Sequence, residues 1–144
     1  MTDRTDNASW PMLFAAFAVA LVSSLAVLFV GEVMGQVPCN LCWFQRAFMF
    51  PLAIILAIAA FRSDAAVWIY AMPLAAAGWL VAGFHTLLFT GIIPQAIQPC
   101  TASGPSCSSE DMTILGALPL PALSLLAFTV IIALLAPAQR RSRS

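Results

Sequence analysis

The chain has 144 residues, of which 62% are hydrophobic and 8% are charged, and its formal net charge is zero. A soluble domain carries about 25% charged residues, so this composition excludes a soluble globular protein and indicates an integral membrane protein. With no net charge, there is no electrostatic case for binding nucleic acid. The length allows one domain, and we expect residues 1–144 to form a single integral membrane domain.

Four apolar segments are long enough to cross a bilayer as helices, which takes about 20 residues each. We therefore predict an all-α membrane protein, a bundle of four transmembrane helices. The expected spans are residues 12–30, 44–61, 66–89 and 118–136, with outer loops at residues 31–43 and 90–117. The first segment is longer than the hydrophobic region of a signal peptide and lacks a cleavage site after it, so we expect it to remain as a span.

The arginines are divided unevenly between the two ends of the expected bundle, and the chain has no lysine. Four spans place most of them at the end that holds both termini: Arg4, Arg62, Arg140, Arg141 and Arg143. Because basic residues are enriched in cytoplasmic connections, this end is predicted to be cytoplasmic. Both cysteine-bearing connections then lie on the opposite, outer face, where disulfides form and persist.

Two cysteines separated by two residues precede the second span, in the string Pro38-Cys39-Asn40-Leu41-Cys42-Trp43-Phe44-Gln45-Arg46. Pro38 disfavours helix before them and the apolar run favours helix after them, so both thiols are expected at a helix start. Unpaired N–H groups and the helix dipole favour the thiolate there, which is the reactive form. The pattern predicts a redox-active pair, with half of a zinc site or a structural bridge as alternatives.

Arg46 follows Cys42 by one helical turn and shares a helix face with it. It is expected to stabilise negative charge near Cys42, on a thiolate or on a reduced electron acceptor. The alternative is a lipid anchor, because a long cationic side chain at a membrane surface can reach lipid phosphates.

The second cysteine pair, Cys100 and Cys107, lies in a connection rich in proline, glycine and serine. Four cysteines allow three pairings, and proximity along the chain favours Cys39–Cys42 and Cys100–Cys107. A disulfide in such an exposed loop is open to attack by the thiolate of another protein, as an exchange-competent bridge requires.

His85 is the only histidine in the chain and lies near the end of the third expected span. An ionisable group in a membrane segment is a candidate functional residue. A hydrogen-bonded histidine at the membrane interface is the alternative, and the sequence favours neither.

These motifs together resemble the DsbB family of disulfide-bond-forming membrane proteins, and most of all its short BdbC-type branch. The resemblance extends over residues 12–136 and rests on the string at 38–46 and on three further motifs: Phe50-Pro51-Leu52, Gly91-Ile92-Ile93-Pro94 after His85, and Pro99-Cys100. It implies a four-helix bundle of the bacterial cytoplasmic (inner) membrane. That bundle would oxidise an extracytoplasmic thioredoxin-fold, DsbA-like thiol oxidase and pass the electrons to a membrane quinone, ubiquinone or menaquinone.

The resemblance also implies a role for each cysteine. Cys100 and Cys107 would meet the partner, with Cys100 forming the mixed disulfide. Cys39 and Cys42 would lie beside the quinone, with Cys42 closest to the ring and held as a thiolate. Only six residues separate Cys100 from Cys107, fewer than in longer proteobacterial members, which leaves the partner undefined.

For the quinone, the resemblance implies a site formed by Cys42, Arg46 and His85. Arg46 would polarise a quinone oxygen. His85 resembles a histidine near the quinone, although its motif is less distinctive. No resident metal is expected.

Three other functions stay open on sequence grounds. An enzyme like vitamin K epoxide reductase would use related thiol and quinone chemistry, but the position of the CxxC pair at the start of the second span argues against it. A membrane metal-binding protein would use the four thiolates as ligands, which requires reduced cysteines. A structural membrane protein would use the disulfides only to brace its loops.

Overall fold

The structure, a computed structural model, describes residues 3–94, 107, 113–114 and 116–143, with side chains between residues 9 and 140 of these ranges. Four long helices dominate it: α1 (Asp3–Leu28), α2 (Asn40–Arg62), α3 (Trp68–Phe89) and α4 (Leu120–Arg143). Each contains a stretch that is long and apolar enough to cross a membrane. The predicted all-α, four-helix membrane fold is confirmed.

The helices form a closed four-membered bundle, because each packs against two neighbours: α1 against α2 and α4, and α3 against α2 and α4. The centre of the bundle is filled by fully buried apolar side chains, among them Leu13, Leu52, Leu56, Phe128, Ile131 and Leu135. The outer surface is apolar as well, with Phe61 81% exposed and Tyr70 71% exposed. A bundle that is apolar inside and outside is suited to lipid, where its exposed side chains need no water.

The connection between α2 and α3 is short and locally stabilised. Ser63 ends α2 in the left-handed conformation with φ of 52°, and its N–H is bonded to the last turn of the helix. The Asp64 carboxylate then accepts the N–H of Ala66 at 2.9 Å and caps a 3₁₀ turn, Ala65–Val67, that leads into α3. A turn this tight makes α2 and α3 antiparallel neighbours.

Two departures from regular helix occur at the other end of the bundle. α1 continues into a π-helical turn, Phe29–Val33. A two-stranded antiparallel hairpin, β1 (Thr113–Ile114) and β2 (Leu118–Pro119), precedes α4, with Gly116 at φ of 70° in its turn. The sequence predicted neither feature: it placed an outer loop at residues 90–117 and ended the first span at residue 30. Most of the connection between Pro94 and Thr113 lies outside the described residues.

Candidate functional site

Cys39 and Cys42 lie at the start of α2, as expected from Pro38. Cys39 is the N-cap, with an extended backbone, and its Sγ accepts the backbone N–H of Cys42 at 3.3 Å. The two sulfurs are 2.8 Å apart and both cysteines are free thiols. This geometry lets one sulfur hold a negative charge while the other donates its S–H to it.

Cys39 is the sulfur that the local environment favours as the thiolate. The hydrogen bond from the Cys42 thiol lowers the pKa of Cys39 to about 5, an effect that burial opposes and that His85 and the Cys42 N–H reinforce. Cys39 is only 1% exposed, so water does not share in this stabilisation. The helix start by itself favours the thiolate at both cysteines, and the family resemblance implies a thiolate at Cys42; the geometry instead favours the N-cap sulfur of Cys39.

His85 projects from α3 into the space between the two cysteine-bearing segments and is 1% exposed. Its Nδ1 is 2.8 Å from the Gln45 Nε2. Its Nε2 is 3.2 Å from the Cys107 carbonyl oxygen and 3.8 Å from the Cys39 Sγ. The imidazole therefore connects α2, α3 and the second cysteine-bearing connection.

Cys107 is fully buried against Cys39 and is disulfide-bonded. Cys39, His85 and Cys107 each offer one atom that could bind a metal, and these three atoms lie within 4.8 Å of one another. The first cysteine pair thus meets a cysteine of the second pair, through Cys39. Cys100, which the resemblance implies as the cysteine that forms the mixed disulfide with the partner, lies outside the described residues.

The same three side chains have the residue types of a metal site, but the redox state argues against one here. Metals are bound by thiolates, and the Cys107 sulfur is in a disulfide. That leaves one thiolate and one imidazole in this group, which is fewer than the four ligands of a structural zinc site.

A cavity of about 640 Å³ lies on the other side of Cys42. Its lining is mostly apolar and is contributed by α1, α2, α4 and β1: Val22, Ala26, Val30, Met49, Ile114, Pro121 and Phe128, among others. Cys42, Arg46, Gln45 and His85 supply polar groups at one side of it. A largely apolar cavity of this size with a few convergent polar groups is typical of a site for a small organic ligand.

Arg46 lines this cavity and is held by α1 and by its own helix. Its Nη2 donates to the Val27 carbonyl oxygen at 2.9 Å, just before the π-helical turn, and its guanidinium lies 5.4 Å from the centre of the Trp43 ring. Gly31 makes room for it, because a Cβ at that position would approach Nη2 to 3.0 Å. The guanidinium that lines the cavity is thus held by a carbonyl of α1 and by an aromatic ring of its own helix.

Two contributors to the site were not singled out in the sequence analysis. Gln45 is 7% exposed and bonds the histidine. Its signal in the sequence is a polar residue on the Cys42 face of an apolar helix, where a buried amide requires a partner. Ile114 of β1 closes part of the cavity, and no local pattern indicates that a residue so far along the chain lies there.

Comparisons with known proteins agree with this site. The family described as "Disulfide bond formation protein DsbB" matches residues 8–138. A probable disulfide formation protein of Metapseudomonas resinovorans is 57% identical over 142 residues, which covers 99% of each chain. The disulfide bond formation protein C of Bacillus subtilis is 38% identical over 120 residues, 83% of this chain and 86% of that relative. No solved structure gives a significant match.

A four-helix membrane bundle with a reactive thiol pair beside a second, disulfide-bonded cysteine is the architecture of a disulfide-generating membrane oxidoreductase. The chain belongs to the DsbB family of disulfide bond formation proteins. The resemblance drawn from the CxxC string and the loop cysteines is thereby confirmed, including its likeness to the Bacillus subtilis protein.

Proposed function

We propose that this protein is a thiol:quinone oxidoreductase that reoxidises an extracytoplasmic, DsbA-like thiol oxidase of thioredoxin fold. The observation that supports this most directly is the place of the first cysteine pair between two different surroundings. Cys39 packs against the disulfide-bonded Cys107, whereas Cys42 lines the cavity. A dithiol placed in this way can exchange with a disulfide on one side and be reoxidised on the other.

The chemistry on the loop side is thiol–disulfide exchange. The thiolate of a reduced partner attacks Cys100 of a Cys100–Cys107 disulfide and Cys107 leaves as a thiolate; the partner's second thiol then displaces Cys100 and departs oxidised. Cys107 next attacks Cys39 of an oxidised Cys39–Cys42 pair and Cys42 leaves. Cys100 finally attacks Cys107 and releases Cys39. In the structure Cys39 and Cys42 are free thiols and Cys107 is disulfide-bonded, which corresponds to the state after the last of these exchange steps.

The cavity side suits a quinone headgroup. Its apolar lining suits a ring and the start of a lipid tail, and Arg46 supplies N–H donors for a ring oxygen. A quinone bound there would accept the two electrons and two protons that are released when Cys39 and Cys42 form their disulfide. Arg46 would stabilise the negative charge that develops on a ring oxygen, and the buried position of Cys39 would keep water from competing for its thiolate.

The positions of the arginines at the helix ends support the membrane orientation that this function requires. The cavity is lined by the C-terminal part of α1 and the N-terminal part of α4. Arg4, at the start of α1, and Arg140, near the end of α4, therefore lie at helix ends remote from Cys39 and Cys42. Arg62 ends α2 on that remote side as well. By the positive-inside rule, these positions favour the cysteines on the extracytoplasmic face of the bacterial inner membrane, where they would meet the thiol oxidase.

Quinone reduction by the purified protein in detergent tests the proposal. With a reduced DsbA-like oxidase as donor, quinone absorbance should fall, and Cys42→Ser should abolish that fall. In Cys100→Ser the thiol that resolves the Cys39–Cys107 disulfide is missing, so that disulfide should accumulate once the Cys39–Cys42 pair is oxidised, and it should be visible by mass spectrometry of the unreduced protein. Normal turnover of Cys42→Ser would refute the proposal. Stoichiometric metal together with no quinone reaction would instead favour a membrane metal-binding protein.

A further inference from the structure

Gln45 and His85 form a buried polar pair in an otherwise apolar bundle. They are two of the four polar side chains that the described part of the chain buries, and they contact each other across α2 and α3. Burying an amide in such surroundings is unfavourable unless the amide is hydrogen-bonded. The contact therefore satisfies Gln45, and it also constrains what the imidazole can do.

The partners of His85 decide which of its nitrogens carries the proton. Nε2 lies 3.2 Å from the Cys107 carbonyl oxygen, and a carbonyl oxygen can only accept. Nε2 must therefore be the protonated nitrogen. In the neutral ring Nδ1 is then an acceptor, and the Gln45 amide, whose Nε2 is 2.8 Å away, donates to it.

The same Nε2–H is directed at the sulfur of the reaction. The Cys39 Sγ lies 3.8 Å from Nε2, within the reach of a hydrogen bond to sulfur. The N–H is shared between this sulfur and the Cys107 carbonyl, so one donor contacts both cysteines between which exchange takes place. Both ring nitrogens contact protein atoms: Nδ1 contacts Gln45, and Nε2 contacts the Cys107 carbonyl and the Cys39 sulfur. The polar atoms of the imidazole are therefore directed at these groups, although the ring also lines the cavity.

We propose that Gln45 is a positioning residue that holds His85 in the Nε2–H tautomer, with that N–H directed at the Cys39 sulfur. The inference rests on the proposed function. When Cys100 attacks Cys107 of a Cys39–Cys107 mixed disulfide, the new bond joins Cys100 to Cys107 and the old electron pair leaves on Cys39. His85 donates to the thiolate that departs, and Gln45 keeps the donor on the correct side of the ring.

The tautomer can be observed directly, because His85 is the only histidine in the chain. Protein labelled with ¹⁵N-histidine and purified through a histidine-free tag should show one imidazole, with Nε2 protonated and Nδ1 unprotonated. A protonated Nδ1, in either the neutral ring or the imidazolium, would overturn the proposal. This readout needs no turnover, so it remains decisive if quinone reduction fails and the proposed function is wrong.

Two variants separate hydrogen bonding from packing. Gln45→Leu removes the donor, and Gln45→Glu keeps the size but offers a carboxylate that accepts, which should move the ring proton to Nδ1. Both should lower kcat for quinone reduction about tenfold, the loss expected for one hydrogen bond to a charged group, with KM for quinone unchanged. Gln139→Leu makes the same chemical change near the far end of α4 and should leave both constants as they are.

The separate effects on kcat and on KM for quinone distinguish this role of Gln45 from a role in quinone binding. If Gln45 served the cavity through His85, Gln45→Leu would raise KM for quinone and leave kcat intact. That result would overturn the proposal, as would unchanged kinetics in both variants. A spectrum of Gln45→Glu in which Nδ1 stays unprotonated would also contradict it.

Discussion

At the scale of single residues, the site depends on the different surroundings of its two neighbouring cysteines, Cys39 and Cys42. Cys39 and Cys42 share a helix start, yet one is a buried N-cap and the other faces the cavity. The N-cap accepts both the thiol and the backbone N–H of the other cysteine. A charge is therefore more stable on Cys39, and the two sulfurs are suited to different steps.

The first prediction concerns the pH dependence of Cys39. Its pKa is lowered from 9.0 to about 5, so the thiolate is populated above about pH 5 and is lost as the pH falls through that value. Alkylation of reduced Cys39, located by fragment mass spectrometry, should stay fast at neutral pH and slow down below about pH 5. Cys42→Ala removes the largest cause of the shift and should move the midpoint upward. A midpoint near 9 in the wild-type protein would contradict the geometry.

The second prediction concerns the fit between Gly31 and Arg46. A Cβ at position 31 would approach the Arg46 Nη2 to 3.0 Å, so Gly31→Ala should displace the guanidinium from its bond to Val27. We expect KM for quinone to rise roughly tenfold, the loss of one charge-assisted hydrogen bond, with little change in stability. Gly83→Ala is the matched control, because its nearest contact, Leu125 Cδ1, is at 3.8 Å. Equal KM values in the two variants would show that the position of Arg46 does not matter.

At the scale of elements, the α3–α4 contact shapes the cavity. Gly78 of α3 lies directly against the ring of Phe128 on α4, and that ring is fully buried and lines the cavity. At the next position along each helix, the Trp79 indole N–H donates to the Thr129 hydroxyl at 2.9 Å. A small residue beside a large one lets the helices approach closely, as is common in membrane bundles.

The third prediction tests this contact. A methyl group at position 78 cannot be accommodated without moving Phe128, whose ring is fully buried and borders the cavity. Gly78→Ala should therefore destabilise the bundle by about 1–3 kcal/mol and lower its melting temperature in detergent. If Phe128 moves into the cavity, quinone affinity should fall as well. Gly83→Ala again serves as the control, and an unchanged melting temperature in Gly78→Ala would show that the ring relaxes without cost.

At the scale of the whole molecule, charge and chemistry are separated along the bundle axis. Cys39, Cys42, His85 and the cavity lie at one end, and Arg62 and Arg140 lie at the other. The lateral surface between them is apolar, so the molecule can be inserted in only two ways. The positive-inside rule favours the one with the arginine end in the cytoplasm, which is the orientation proposed above.

The fourth prediction tests this orientation in cells. A green fluorescent protein fused after Ser144 should fluoresce, and an alkaline phosphatase fused at the same place should be inactive, because the proposed orientation puts that end in the cytoplasm. A membrane-impermeant maleimide added to intact reduced cells should modify Cys42. Replacing Arg140, Arg141 and Arg143 by alanine leaves fewer positive charges at this end and should increase the inverted fraction. An active phosphatase fusion in the unmodified chain would reverse the assignment.

The sequence by itself determined the features that depend on composition and short spacing. Low charge and four long apolar segments are enough to predict a four-helix membrane bundle, and Pro38 before an apolar run is enough to place both cysteines at the start of α2. The CxxC string with its arginine was specific enough to indicate the family. These properties are local, so a single chain read in order contains them.

Only the tertiary structure decided how the remote segments meet. Three features depend on α2, α3 and the second connection packing together: which sulfur is buried, which sulfur faces the cavity, and the position of the His85 ring between Cys39 and Cys107. The same holds for Gln45 and for the β-hairpin over the cavity. Such contacts join residues many positions apart, and their distances are set by helix packing rather than by any pattern along the chain.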